Sequence, residues 1–157
     1  MRLIPLVVAA VIALPVTASA EVVWTLSKKQ GRAYLYGMPN ESEVDNEFWA
    51  HCRADGAIDV GMGAEAKVGK GKGEKVKLTF TSGGQSATVT GVSRESVNVE
   101  MTGGIELRGT VKRDDKLFAV LATGQPITVT GPIKPPLKWS VRGLKAKVAA
   151  FLGGCKS

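Results

Sequence analysis

Histidine and cysteine are scarce in this sequence, which has one histidine and two cysteines among 157 residues. A metal site built from these residue types would have to combine His51 with both cysteines, and neither cysteine belongs to a CxxC pair. The chain also has no GxSxG, HExxH, Walker-type or GxGxxG motif, the patterns typical of serine hydrolases, zinc proteases and nucleotide-binding folds. We therefore expect no metal and no cofactor, and the sequence identifies no catalytic residue.

Long apolar runs are also missing, apart from Leu3–Leu14 near the start of the chain. That run is shorter than the ~20 residues that a membrane helix needs. It follows Arg2 and precedes the small residues Ala18-Ser19-Ala20, an order typical of a secretory signal peptide. We expect residues 1–20 to be removed as a signal peptide. Residues 21–157 then form a single domain with no transmembrane anchor, in the periplasm or secreted.

The two cysteines, Cys52 and Cys155, predict one disulfide. An isolated pair in an exported chain is most simply a structural bond, since the compartment is oxidising. Two free thiols, or one reactive cysteine, are the alternatives.

Short alternating segments separated by glycine predict a mainly β fold. In the segment from Lys75 to Thr81, for example, Val76, Leu78 and Phe80 lie on one face. We expect an antiparallel sandwich or a partly open barrel, with strands at 22–26, 32–37, 47–54, 57–62, 75–81, 86–90, 96–101, 105–111, 126–130 and 137–141.

Two helices interrupt this pattern near the end of the chain. Asp114 and Asp115 can cap a short helix near 115–123, and Gly124 can stop it. A second helix is predicted over 140–152 because its apolar residues recur at helical spacing. Gly153-Gly154 should end that helix just before Cys155, so the disulfide would attach it to the strand that carries Cys52.

The segment Tyr36-Gly37-Met38-Pro39, followed by Phe48 and Cys52, resembles a pattern found in small exported proteins of alphaproteobacteria. The C-terminal half is similar to the same group, with a helix, a strand and a final helix that ends in a cysteine. The resemblance covers the two ends of the chain and hardly extends to its lysine-rich middle. It implies the β-rich fold and the disulfide, and it implies no reaction.

Charge is unevenly distributed along this basic chain, whose net charge is +7. The segment 38–59 holds six acids and one base, whereas 131–157 holds six bases and no acid. A segregated surface of this kind can face an anionic partner. The candidate anion-binding residues lie in a Gly/Lys loop at 64–73, in the strand after it and on the last helix. They are Lys67, Lys70, Lys72, Lys75, Lys145 and Lys147. A solubilising loop and lysines around a buried helix are the alternative interpretations.

Two further residues near Cys52 invite a functional interpretation. His51 and Cys52 are neighbours in a predicted strand and so point to opposite faces, which argues against a Cys–His dyad. Trp49 lies on the face opposite Cys52 and is our candidate for an exposed recognition residue. The acidic loop at 41–47 lacks the glycine and glutamate positions of an EF-hand, so it predicts no calcium site of that type.

These observations favour a non-enzymatic binding or interaction module of the periplasm. Its partner would be a protein or an anionic component of the envelope such as lipopolysaccharide. Nucleic acid is not expected, because the compartment is wrong and aromatic residues make up only 6% of the chain. Three alternatives stay open: an inhibitor of a hydrolase such as lysozyme, a polyanion-binding surface protein, and a hydrolase whose site has no sequence signature.

Overall fold

Antiparallel strands make up most of the structure, a computed structural model that describes residues 21–40, 47–63, 67–97, 100, 103–134 and 136–155. The predicted signal peptide and residues 41–46 of the acidic loop lie outside these residues. In chain order the elements are β1 (Val22–Lys29), β2 (Arg32–Pro39), β3 (Phe48–Cys52), β4 (Ile58–Met62), β5 (Lys67–Val68), β6 (Lys72–Ser82), β7 (Gln85–Glu95), β8 (Ile105–Val111), α1 (Lys116–Leu121), β9 (Ile127–Thr130), β10 (Ile133–Lys134), β11 (Leu137–Trp139) and α2 (Leu144–Gly154).

Nine strands form one antiparallel sheet in the order β1-β2-β3-β4-β8-β7-β6-β9-β11, and β5 pairs with β10 in a separate small sheet. The large sheet curves into a nearly closed barrel, which confirms the expected mainly β fold in its barrel form. The two end strands, β1 and β11, meet at Ser140. Its hydroxyl accepts from the Val22 N–H at 3.0 Å, and its carbonyl accepts from the Trp24 indole at 2.8 Å.

The barrel interior is filled by alternate residues of each strand, as the period-two pattern predicts. Within it lies an aromatic cluster around Trp139, a fully buried side chain. Its ring lies 5.8 Å from Trp24, 6.1 Å from Phe48 and 6.0 Å from Phe80, centroid to centroid. These rings come from strands far apart in the chain, so the cluster connects the two edges of the sheet.

The C-terminal helix α2 packs against β1, β2 and α1 and is joined covalently to the barrel. Leu144, Val148 and Phe151 form its buried face, and Phe151 contacts Phe118 of α1 with ring centroids 6.0 Å apart. Cys155 follows the helix directly and is bonded to Cys52 of β3, with 5.4 Å between the Cα atoms. The predicted disulfide is therefore confirmed.

Helix α1 forms where its capping residues predict it. Asp115 is the N-cap, and its carboxylate accepts from the Leu117 N–H at 2.8 Å. The first residues predicted for α2 were wrong, because 141–143 form a turn and the helix begins after Gly143, whose φ is +71°. The end was also predicted too early, since Gly153 and Gly154 are both helical.

The strand predicted at 96–101 was wrong at its first residues. Instead, β7 continues through Gly91 to Glu95 and then turns at Ser96, whose N–H donates to the Gly104 carbonyl at 3.0 Å. The rest of that prediction lies largely outside the described residues. The predicted strand at 86–90 was too short, because β7 continues through Gly91. A Cβ at Gly91 would lie 2.4 Å from the Arg108 carbonyl oxygen, so glycine at this position allows the close approach of β8.

Candidate functional site

Four aromatic side chains lie side by side on the outer face of β2 and β3, and we call Tyr34, Tyr36, Trp49 and His51 the aromatic patch. All four are half-buried. Tyr34 and Tyr36 are stacked with centroids 6.1 Å apart, and Trp49 and His51 are stacked at 5.3 Å. Tyr34 and His51 join the two pairs at 5.7 Å.

Strand alternation puts these rings outside the barrel. Phe48, Ala50 and Cys52 of β3 point into the core, so Trp49 and His51 must point outward. In the β2–β3 register Tyr36 lies opposite Trp49, and Tyr34 lies opposite His51. Trp49 thus lies on the face opposite Cys52, as does His51, and recognition through Trp49 stays a prediction.

The indole of Trp49 lies across β4 and is fixed at both ends. It covers Gly61, where a Cβ would lie 2.0 Å from Trp49 Cε2, so any larger residue would displace the ring. Beyond Gly61, Trp49 Nε1 donates to Glu106 Oε2 at 3.2 Å, and Arg108 Nε donates to Glu106 Oε1 at 2.5 Å. Trp49, Glu106 and Arg108 therefore form one hydrogen-bonded group that extends from β3 across β4 to β8.

Charged residues lie along the other side of the patch. His51 Nε2 lies 3.3 Å from Asp59 Oδ2, and Arg53 lies 3.6 Å from the other oxygen of that carboxylate. The Thr110 hydroxyl donates to Asp59 Oδ1 at 2.7 Å. Because this hydroxyl bonds to the carboxylate and not to the imidazole, these residues lack the nucleophile–base hydrogen bond of a catalytic triad.

Tyr36 stays a neutral phenol at physiological pH. Burial raises the pKa of its hydroxyl, and the neighbouring Tyr34 raises it further. The aromatic patch therefore presents its ring faces together with the neutral hydroxyl of Tyr36.

A basic concavity of about 550 Å³ adjoins the patch beyond Arg108. It is lined by Lys72, Arg94 and Arg108, with Glu95 as its acid. Lys72 and Arg94 lie opposite each other in the β6–β7 register, and both are exposed. Of the predicted anion-binding residues, Lys72 is thus the one that the structure brings next to Trp49's hydrogen-bonded group.

Backbone N–H groups of the Gly/Lys loop converge on one point, and the protein places its own carboxylate there. Glu74 accepts from the N–H groups of Lys70 and Lys72, and the Ser93 hydroxyl accepts from the Gly71 N–H at 2.7 Å. The Lys70 N–H is the main reason why the pKa of Glu74 is lowered. Gly69 has φ +77°, and a Cβ there would meet Glu74 Oε1 at 2.6 Å.

The remaining predicted lysines are spread over the surface. Lys67 lies in β5, Lys70 in the following turn and Lys75 on the outer face of β6, all exposed. Lys145 and Lys147 lie on α2, which packs on β1 and β2. Anion binding through these side chains stays a prediction, and the two groups of lysines lie on different parts of the barrel.

Comparison with protein-family models, with curated proteins and with solved structures gave no match to this chain. Within the part of the chain that the structure describes, no helix is long and apolar enough to cross a membrane. The same described residues contain no group of three or more potential metal ligands.

Proposed function

We propose that this protein is a non-enzymatic binding module of the periplasm that recognises a protein partner through the aromatic patch and the adjoining basic concavity. The observation that carries the proposal is the fixed, half-exposed position of Trp49 among three other aromatic rings. Tryptophan, tyrosine and arginine are the residue types enriched at interface hot spots. On this face they occur together, with little side-chain entropy left to lose on binding.

The positive charge of the concavity favours a partner with an acidic surface. Lys72 and Arg94 leave the concavity basic, whereas Glu106 already bonds to both Trp49 and Arg108. A partner that presents an apolar or aromatic group to the rings and acidic side chains to the concavity would complement this face.

The test is an affinity capture of tagged protein from its own periplasmic extract, followed by titration of the purified partner. We expect a partner that survives a high-salt wash. Trp49→Ala should weaken its binding by about 2 kcal/mol or more, which is roughly 30-fold in Kd. Lys72→Ala with Arg94→Ala should lower the association rate and the salt dependence.

The matched control is Thr88→Ala, since Thr88 is exposed on the outer face of β7 away from the patch. Unchanged affinity in Trp49→Ala, or equal loss in Thr88→Ala, would contradict the proposal. Retention only at low salt would favour a polyanion-binding surface instead. If the captured partner is a hydrolase, an activity assay with stoichiometric protein decides whether binding inhibits it.

A further inference from the structure

The strand β1 leaves one of its edges unpaired. Backbone N–H and C=O groups alternate in direction along an antiparallel strand. The Val22 N–H donates to the Ser140 hydroxyl, so the backbone N–H and C=O groups of Val22 point away from β2. By the same alternation the backbone groups of Trp24, Leu26 and Lys28 also point away from β2. β11 ends at Trp139 and has no ladder with β1. Within the described residues, the backbone groups of Trp24, Leu26 and Lys28 on this edge have no strand partner.

A groove runs along this free edge, between β1 and helix α2. One concavity of about 660 Å³ is lined by Val22, Trp24, Ser140 and Arg142, and a second of about 380 Å³ is lined by Leu26 and by alanines of α2. Trp24 and Lys147 line both, so the two concavities adjoin. Together they follow β1 from Val22 to Leu26, which is about 13 Å of extended chain.

Small side chains on α2 make the room for this groove. Ala146 and Ala150 are exposed, are one helical turn apart and face β1. A strand added to a sheet lies 4.7–4.9 Å from its neighbour, and longer side chains at these two positions would fill that space. The helix face therefore suits an added extended chain.

The charge of the groove selects the chemistry of that chain. Arg142 and Lys147 line it, and neither makes an ion pair with any described residue. Glu21 at one end is its acidic residue. In a pair of identical edges the basic residues Lys28, Arg142 and Lys147 of each copy would outnumber its single acid, Glu21, and this net repulsion disfavours self-pairing. An acidic segment has the complementary charge.

We propose that the β1–α2 groove binds an extended acidic peptide segment of a partner as an additional strand next to β1. Backbone hydrogen bonds to Leu26 and Lys28, the residues of this edge that are half-buried and exposed, hold the segment in register, as in other cases of strand addition. Arg142 and Lys147 bind its carboxylates, and alternate small apolar side chains face the alanines of α2. This site is separate from the aromatic patch and does not depend on it.

The test uses a seven-residue peptide of alternating valine and aspartate, titrated into the protein while backbone amide NMR shifts are recorded. Shifts should concentrate at residues 22–28 and 142–150. N-methylation of the peptide on every second residue should weaken binding at least tenfold, because it removes the strand hydrogen bonds without altering the protein. Arg142→Ala with Lys147→Ala should weaken binding at least fivefold and remove most of its salt dependence.

Ala150→Leu should block the groove and reduce affinity at least tenfold, whereas Ala149→Leu is the matched control. Ala149 is also exposed on α2 but does not line either concavity. Trp49→Ala should leave peptide binding unchanged, which separates this proposal from the proposed function. Equal binding of the N-methylated peptide or of Ala150→Leu would overturn it. Concentration-dependent dimerisation that Ala150→Leu abolishes would also overturn it, because the edge would then pair with a second copy.

Discussion

Reduction of the Cys52–Cys155 disulfide is expected to lower the free energy of unfolding by about 4–5 kcal/mol while the barrel stays folded. The two residues are 103 positions apart, so the bond closes every element from β4 to α2 into one loop. In the chain-entropy model a loop of ~100 residues is worth about 4.7 kcal/mol at 25 °C. The core contacts of α2 through Leu144, Val148 and Phe151 do not depend on the bond. They should keep the helix docked.

The measurement is urea unfolding of the oxidised protein and of protein refolded with a reductant present. Reduction should lower the midpoint and raise the m-value, because the unfolded chain without the bond exposes more surface. In the folded protein both cysteines are almost fully buried, so a reductant alone should act slowly.

A double variant, Cys52→Ala with Cys155→Ala, serves as the control for this prediction. It also loses buried sulfur atoms, so it should be less stable than the reduced wild type by a further cavity cost. A stability loss on reduction below about 1 kcal/mol would refute the entropic reasoning. Loss of the near-UV circular dichroism of the core would refute the claim that α2 docks without the bond.

Three further changes have expected outcomes that urea unfolding can check. Asp115→Ala should cost about 1 kcal/mol by removing the N-cap of α1, whereas Asp114→Ala, at its exposed neighbour, should cost little. Glu74→Gln should destabilise the protein at neutral pH, and its deficit should shrink as pH falls below about 4.5. The folded-state pKa of Glu74 is lowered, so its contribution is present above the ordinary pKa of 4.5 and is lost as pH falls through the folded value. Gly61→Ala should lower the free energy of unfolding by about 1–3 kcal/mol through overpacking against Trp49. It should also shift the wavelength of the Trp49 fluorescence maximum, and an unchanged spectrum would contradict the packing of this ring on Gly61.

Much of the fold could be predicted because single strands carry their own pattern. The alternation of Phe48, Ala50 and Cys52 fixed the two faces of β3, and so placed Trp49 outside before any partner strand was known. The disulfide followed from the count of cysteines. The start of α2 could not be predicted, because apolar spacing alone does not distinguish the turn at 141–143 from a first helical turn.

Most of the candidate site could not be predicted, because it depends on pairing between strands that are distant in sequence. Glu106 reaches Trp49 only because β8 pairs with β4, and nothing in the local sequence gives that register. The Gly/Lys loop shows the same limit. Its lysines indicated a loop that binds an anion, but only the turn of the loop reveals that Glu74, four residues after Lys70, accepts from the loop's own backbone N–H groups.

The positions of two glycines, one on each face of the sheet, support the proposal that the aromatic patch binds a partner. Trp24 lies over Gly37 inside the barrel, where a Cβ would be 2.8 Å from its ring, and Trp49 lies over Gly61 outside, where a Cβ would be 2.0 Å away. The inner pair contributes to the core, which repays the cost of a glycine within a strand. Trp49 of the outer pair is not among the described residues that form the hydrophobic core. The outer pair holds a tryptophan flat and half-exposed beside three other rings, so the cost of Gly61 is explained if the patch binds a partner.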